Sequence, residues 1–325
     1  MKAIVIERYG PPDFLKLKEI PKPRPGNKEI LIKVINTTVT AGDCELRTMK
    51  FPALFRIPLR IYFALARSNG IVPGQEVSGL IEAVGHGVTR FKPGDKIVAA
   101  TMLRLGGCAE YVCLPESYPI MLKPDTLSFE ESATLITGGL NAIHFISVGQ
   151  LRAGHRLLIN GAGGTIGTYA IQIAKAIGAH VTAVDAESKL EMLRHIGADE
   201  VIDYRRTNFV DVSQRWDVLI DIVGNASFNE TLNKILPGGC YVIGNPRGSS
   251  MLRAMRANGK SGKRVEFRMA EYSAEDQAAL LEWVRRGVIK PIIDRRYSLD
   301  EIQAAHAYVD SGAKVGNVVV SINEE

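Results

Sequence analysis

The stretch Arg156-Leu-Leu-Ile-Asn-Gly-Ala-Gly-Gly-Thr-Ile-Gly167, followed eighteen residues later by Asp185, constrains this chain more than any other feature. A short apolar run ends in glycines, and an apolar-periodic segment, Thr168 to Ile177, follows at once. That order predicts a strand, a tight turn and a helix. Gly178-Ala-His180 closes the helix, and Val181 to Val184 makes a second strand ending in the Asp185 carboxylate. The N–H groups of such a turn and the positive end of the helix converge on one spot, which suits a pyrophosphate. Glycine lets the chain turn and lets phosphate approach the backbone, while an acid at the second strand's tip holds ribose hydroxyls. Glycines, strand, helix and acid in register predict a dinucleotide site.

The chain around this stretch alternates strand and helix. Helical pattern begins at a capping box, Ser128-Phe-Glu-Glu131, and runs through Ala133 to Val148. Strands are expected at Glu200–Asp203, Asp217–Ile222, Gly239–Gly244 and Arg264–Arg268, with helices near Ser188–His195 and Phe228–Leu236. This is an α/β pattern, a doubly wound parallel sheet of six strands. The first third instead carries short strands between glycine turns, as in Glu29–Ile35, Val77–Val84, Asp95–Ala100 and Gly106–Pro115, which predicts a β-rich, barrel-like domain. Two tail helices, near Ala274–Arg286 and Leu299–Ser311, precede a strand at Asn317–Ile322. Since the parallel sheet is already complete, the tail is expected to return to the first domain. The boundaries expected are 1–124 plus 269–325 for the β-rich domain and 125–268 for the nucleotide domain.

At 325 residues, two domains are the default. A net charge of +5 does not mark a nucleic-acid binder, and no apolar run reaches bilayer length, so no membrane span is expected. With no secretory signal pattern at Met1-Lys-Ala-Ile-Val5 and no CxxC pair, Cys44, Cys108, Cys113 and Cys240 read as reduced thiols of a cytoplasmic protein. Segment 50–67 is apolar but studded with arginines. It reads as a helical flap packed on its own domain, broken by its two prolines, with a membrane-surface segment as the alternative.

On these residues the chain resembles the medium-chain dehydrogenase/reductase superfamily, in its zinc-free quinone reductase branch. Gly74 to Asp95 is similar to the superfamily's signature, and Gly154 to Lys175 to the branch's nucleotide fingerprint, with Gly163 where serine or alanine is usual and Thr165 where glycine is usual. His195 to Tyr204 resembles the segment that follows. The resemblance implies a Rossmann domain beside a GroES-like domain, and NAD(P)H as cofactor. Its zinc-dependent members hold a metal with Cys, His and Cys. At the resembling positions this chain has Thr40, Gln75 and Gly138, a hydroxyl, an amide and no side chain, so no metal is expected.

The same resemblance distributes the site residues. Gly161, Gly164 and Gly167 fit the spaced glycines of the loop, with Thr165 and Ile166 offering N–H groups to the pyrophosphate. Asp185 favours NADH by repelling a 2′-phosphate, whereas Lys189 and Tyr204 resemble positions that bind that phosphate in NADPH-dependent relatives. The plain alternative for these two is an exposed helix lysine and a half-buried tyrosine. Asn141 is placed near the nicotinamide ribose and Val223 near the adenosine. Thr40 is the catalytic candidate, a hydrogen-bond donor to the acceptor oxygen, and its alternative is a buried hydroxyl bonded to backbone. Asp43 is expected to fix the local loop against Arg47. Cys44 reads either as a reactive thiol or as a small buried hydrophobe. The implied activity is reduction of quinones or α,β-unsaturated carbonyls, and the implied oligomer a homodimer through Arg264–Arg268. The alternatives are an alcohol dehydrogenase-like enzyme of the same superfamily, or a non-catalytic nucleotide-binding protein using the basic cluster Arg247, Arg253, Arg256, Lys260, Lys263 and Arg264.

Overall fold

The computed structural model describes residues 1–51, 53–66, 70–245, 253–254 and 262–324. Three residues of the basic cluster, Arg247, Arg256 and Lys260, lie outside the described residues, as does Pro52. The chain divides into two compact units, Gly138–Lys290 and Met1–Thr137 with Pro291–Glu325.

In the unit Gly138–Lys290, six parallel strands form one sheet. Their order is Glu200–Asp203, His180–Asp185, Arg156–Asn160, Trp216–Asp221, Ile235–Ile243, Arg264–Glu266. Numbered along the chain this is 3-2-1-4-5-6, the doubly wound order, whose direction reverses between Arg156–Asn160 and Trp216–Asp221. Leu157, Leu158 and Ile159 are each fully buried, as a strand covered on both faces must be. The helix Thr165–Ile177 begins directly after the glycine turn and buries every residue from Gly167 to Ala174, as a helix enclosed within its unit does. It stops at Gly178, whose φ of 93° lets its N–H close on the carbonyls of Ala174 and Lys175. Register aligns Asn160 with Asp221 and Asp185 with Asp203, so polar residues collect at the sheet's carboxyl edge.

The helix expected from Ser128 through Val148 is divided. Ser128 and Glu131 form the capping box, but the first helix spans only Phe129–Ala133, and a wider turn at Ile136–Leu140 precedes a second helix, Asn141–Gly149. Gly138 and Gly139 let this turn pack closely on its neighbours. A Cβ on Gly138 would lie 2.4 Å from the Tyr169 ring, and one on Gly139 would lie 2.5 Å from Leu280.

The unit boundaries also differ from those expected, falling at 137/138 and 290/291. Phe129–Ala133 packs on the strands Glu29–Thr38 and Glu76–Val84, and the Ser78 hydroxyl donates to the Phe129 carbonyl at 2.7 Å. The helix Ala274–Arg285 packs instead on Asn141–Gly149, while the Gln172 amide bonds both the N–H and the carbonyl of Lys290. Side-chain packing, not strand count, thus decides where each unit ends.

The other unit holds a seven-stranded sheet and the two-stranded pair Lys2–Ile6 with Leu15–Glu19. The tail strand Asn317–Ser321 pairs antiparallel with Glu29–Thr38, so the tail completes this sheet. Its other neighbour, Ile293–Ser298, has a half-exposed, charged sequence with no apolar alternation to announce it. In segment 50–67 the helix Ala53–Ala66 continues through the exposed Pro58, against the expectation of a break. Proline removes one N–H, and at an exposed position water satisfies the carbonyl left over. Phe63 and Leu59 pack inward, whereas Ile57, Ile61 and Tyr62 are exposed with Arg56 and Arg60. No helix among the described residues is long and apolar enough to cross a membrane.

Candidate cofactor and substrate sites

The glycine turn leaves the strand Arg156–Asn160 at the reversal of strand order, where open α/β sheets bind ligands. Its three spaced glycines have three different neighbourhoods. Gly161 has φ +85°, and a Cβ there would meet Val223 at 2.7 Å. A Cβ on Gly167 would strike the Ala162 carbonyl oxygen at 2.4 Å, so helix and turn pack too closely for a side chain. At Gly164 the nearest atom is 3.7 Å away, which leaves open room where a phosphate would approach. Thr165 and Ile166 open the helix beside it, in the turn whose N–H groups have no intrahelical acceptor. Val223 is 43% exposed next to Gly161, and the Asn141 amide donates to the Tyr272 hydroxyl at 2.8 Å.

Asp185 ends the strand His180–Asp185 with its carboxylate already engaged. Oδ2 accepts the Gly163 N–H at 2.7 Å, and Oδ1 accepts the Ala186 N–H at 2.8 Å and lies 3.1 Å from Lys189 Nζ. Lys189 is therefore not the exposed helix lysine of the plain alternative. Only 7% of it is exposed. Tyr204 is more exposed than expected, at 54%, and its N–H donates to the Asp185 carbonyl at 3.2 Å. The Arg205 guanidinium lies 5.8 Å from the centre of its ring.

One group at this edge escaped the sequence reading. Asp221, fully buried, accepts from the Asn160 amide at 2.8 Å, the Gly224 N–H at 2.9 Å and the Tyr241 hydroxyl at 3.1 Å. It ties the first strand to the loop after the fourth, which fixes Val223 against Gly161. Burial first, and Asp221 second, push the Tyr241 phenol upward, so it stays a donor. An acid closing a buried apolar strand was the available signal.

In the other unit, Thr40 caps the helix Ala41–Thr48. Its hydroxyl donates to Asp43 Oδ2 at 2.7 Å and accepts the Asp43 N–H at 3.3 Å, while Asp43 Oδ2 accepts the Thr40 N–H at 2.9 Å. The hydroxyl hydrogen is thus directed at Asp43 inside a capping box. Burial pushes the Asp43 carboxyl above its usual value, against the hydrogen bonds from Thr40. Arg47 does not pair with Asp43 as expected. It bonds Asp310 and the Gly10 carbonyl.

Glu76 is fully buried, its Oε1 bonded by the Thr38 hydroxyl at 2.5 Å and its Oε2 by the Thr137 N–H at 2.8 Å. Burial outweighs those bonds and pushes its carboxyl from 4.5 up to about 7. Cys44 lies 3.5 Å from His306 Nδ1, but burial pushes the thiol up to about 12 and the imidazole down to about 3. Both are neutral, so Cys44 is a packed thiol and not a nucleophile.

Residues 26–125 match the alcohol dehydrogenase GroES-like domain family, and residues 196–320 the zinc-binding dehydrogenase family. The chain is 32% identical over 327 residues to a quinone oxidoreductase of Sus scrofa, covering 94% of this chain and 93% of that one. It belongs to the quinone oxidoreductase-like branch of the medium-chain dehydrogenase/reductase superfamily. An NADPH-dependent alkenal/one oxidoreductase of Arabidopsis thaliana is 30% identical, over 98% of this chain and 79% of its own length. The solved quinone oxidoreductase of Coxiella burnetii superposes with a TM-score of 0.89 at 26% identity, over 99% of each chain. Members of this superfamily are oxidoreductases that use a nicotinamide cofactor, and the glycine loop described above fits one.

A zinc ion of the kind the second family's description names does not fit this member of the branch. Thr40 and Gln75 offer a committed hydroxyl and an amide, and Gly138 offers no side chain. Among the described residues no group of three or more His, Cys, Asp or Glu is placed to hold a metal ion. Gln75 is half-buried, and a Cβ on Gly42 would lie 2.8 Å from its Nε2, so the amide rests on the first turn of the helix Thr40 caps.

Proposed function

We propose that the protein is an NAD(P)H-dependent reductase of quinones or α,β-unsaturated carbonyls that works without a metal. The observation carrying this reading is similarity along nearly the whole chain to relatives named for those substrates, joined to a glycine turn open at Gly164. When bound, the nicotinamide cofactor supplies the hydride. The chain's own work is to hold the pyrophosphate on the N–H groups of Thr165 and Ile166, with Gly161 and Gly167 setting the turn. Asn141, Tyr204 and Val223 are the further cofactor contacts in this reading. Asp185 favours NADH, because a 2′-phosphate would stand beside its carboxylate.

A saturated ketone needs its developing alkoxide stabilised by several kcal/mol, which no Lewis acid here provides. A conjugated acceptor delocalises that charge onto a distant oxygen, and one hydrogen-bond donor then suffices. With the Thr40 hydroxyl committed to Asp43, the Gln75 amide is the donor we assign, and Thr40 becomes the residue that holds the helix against it. Two further parts belong to this reading. A homodimer forms through the sheet edge at Arg264–Glu266, a strand paired on one side only among the described residues. A cytoplasmic location suits the four buried, unpaired thiols. The test is turnover of NADH and NADPH against a quinone, an enone and a saturated aldehyde. Aldehyde reduction with quinone and enone inert would overturn the proposal.

A further inference from the structure

We propose that Gly163, Asp185 and Lys189 form a clasp that sets cofactor choice, and that Gly163 decides whether Lys189 is available to a 2′-phosphate. This rests on the reading of the glycine turn as a dinucleotide site. Gly163 stands on ordinary backbone, with no positive φ that would require glycine. What excludes a side chain is the clasp itself. A Cβ there would lie 2.6 Å from Lys189 Cδ and 3.0 Å from Asp185 Oδ2. The bare backbone at 163 lets the lysine stem lie across the turn, while the Gly163 N–H holds Asp185 from below at 2.7 Å.

The ion pair so formed is 3.1 Å long, with both side chains only 9% exposed. A lysine in that position has its charge matched and most of its stem out of water. To meet a phosphate it would have to break its ion pair with Asp185, in a site where that carboxylate and the phosphate would be close neighbours. Desolvated like charges are costly, so the clasp keeps the lysine in place. The other cations of this rim are weaker partners for Asp185, the attraction of Arg205 to it being smaller than those to Tyr204 and Asp203. Arg206 is held by Glu187 and Asp203, and Arg205 is exposed over Tyr204. Lys189 therefore braces the loop from below and reads no phosphate. A side chain at 163 would push its flexible end outward and convert it into a phosphate donor.

The test measures binding and needs no turnover. NAD⁺ and NADP⁺ are titrated calorimetrically into the full-length protein, Gly163→Ala, Lys189→Gln and the double variant. The wild type is expected to prefer NAD⁺, and Lys189→Gln to weaken NADP⁺ further, because it leaves the Asp185 carboxylate beside the phosphate with its cation removed. Gly163→Ala is expected to tighten NADP⁺ by about tenfold, the worth of one such bond, with the gain abolished in the double variant. Should Gly163→Ala fail to fold, acetylation of the free wild type decides, since a clasped, buried Lys189 is expected to resist acetic anhydride and ready labelling overturns the clasp. An unchanged NADP⁺ to NAD⁺ ratio in folded Gly163→Ala, or a gain in Gly163→Ala that persists in the double variant, overturns the clasp. Absence of binding by either dinucleotide to the wild type would instead refute the dinucleotide site on which it rests.

Discussion

Replacing Glu76 by glutamine removes the titration of a fully buried carboxyl while keeping its shape. In the fold, burial holds this group's proton until about pH 7, against an ordinary value of 4.5. That difference corresponds to about 3 kcal/mol between the two protonation states. Because the folded value is raised, the neutral carboxyl's contribution is complete below pH 4.5 and is lost as pH rises through about 7. His306 runs the other way. Its folded value is depressed from 6.5 to about 3, so its contribution is complete above 6.5 and is lost as pH falls toward 3. Between 4.5 and 6.5 the two slopes oppose each other, which hides both in the parent's profile. The difference between Glu76→Gln and the parent isolates Glu76. Glutamine can accept the Thr137 N–H through Oε1 and place its Nε2 toward Thr38 Oγ1, and because it does not titrate any fixed cost is independent of pH. Thermal melts from pH 4 to 8 are expected to show the variant gaining on the parent as pH rises, by about 6–12 °C in total for a domain of this size. A difference that stays constant across that range, or falls with pH, refutes the account of Glu76 as a carboxyl kept neutral by burial.

Thr40→Val is expected to destabilise the protein by about 1–2 kcal/mol through loss of the cap, while Gln75→Leu lowers kcat on quinone with less effect on stability. Steady-state kinetics beside melts of both variants distinguish the two roles, and an unchanged kcat in Gln75→Leu removes Gln75 as donor. Gly138→Ala should cost about 1–3 kcal/mol, because its Cβ overlaps the Tyr169 ring, and denaturant unfolding measures it. Cys44, with its thiol held at about 12, should resist alkylation by iodoacetamide at pH 8 in the native protein and react once unfolded. Mass spectrometry of the labelled protein reads both states.

The parallel sheet was legible because its strands are buried on both faces, so runs such as Leu157-Leu-Ile159 stand out as unbroken apolar segments between glycines. The capping box at Ser128 was legible for a similar reason, since its bonds join residues three apart. The same spacing at Thr40 and Asp43 caps the helix Ala41–Thr48, a role that a hydroxyl and a carboxyl three apart carry in the sequence. The strand Ile293–Ser298 was illegible because it is half solvent-facing and rich in charge. Lys189 was illegible for a different reason. Its burial depends on what is missing at Gly163, twenty-six positions earlier, and a local reading of a helix lysine cannot see an absent side chain.

The central claim is hydride delivery to a conjugated acceptor by a protein that needs no metal. It is tested most directly by anaerobic turnover of NADH with a p-quinone, an enone and a saturated aldehyde, before and after exhaustive chelation, with zinc content measured on the same sample. The account predicts reduction of quinone or enone at a rate unaffected by chelation, zinc well below one per chain, and negligible aldehyde reduction. Stoichiometric zinc whose removal abolishes activity, with the saturated aldehyde as the better acceptor, would contradict it.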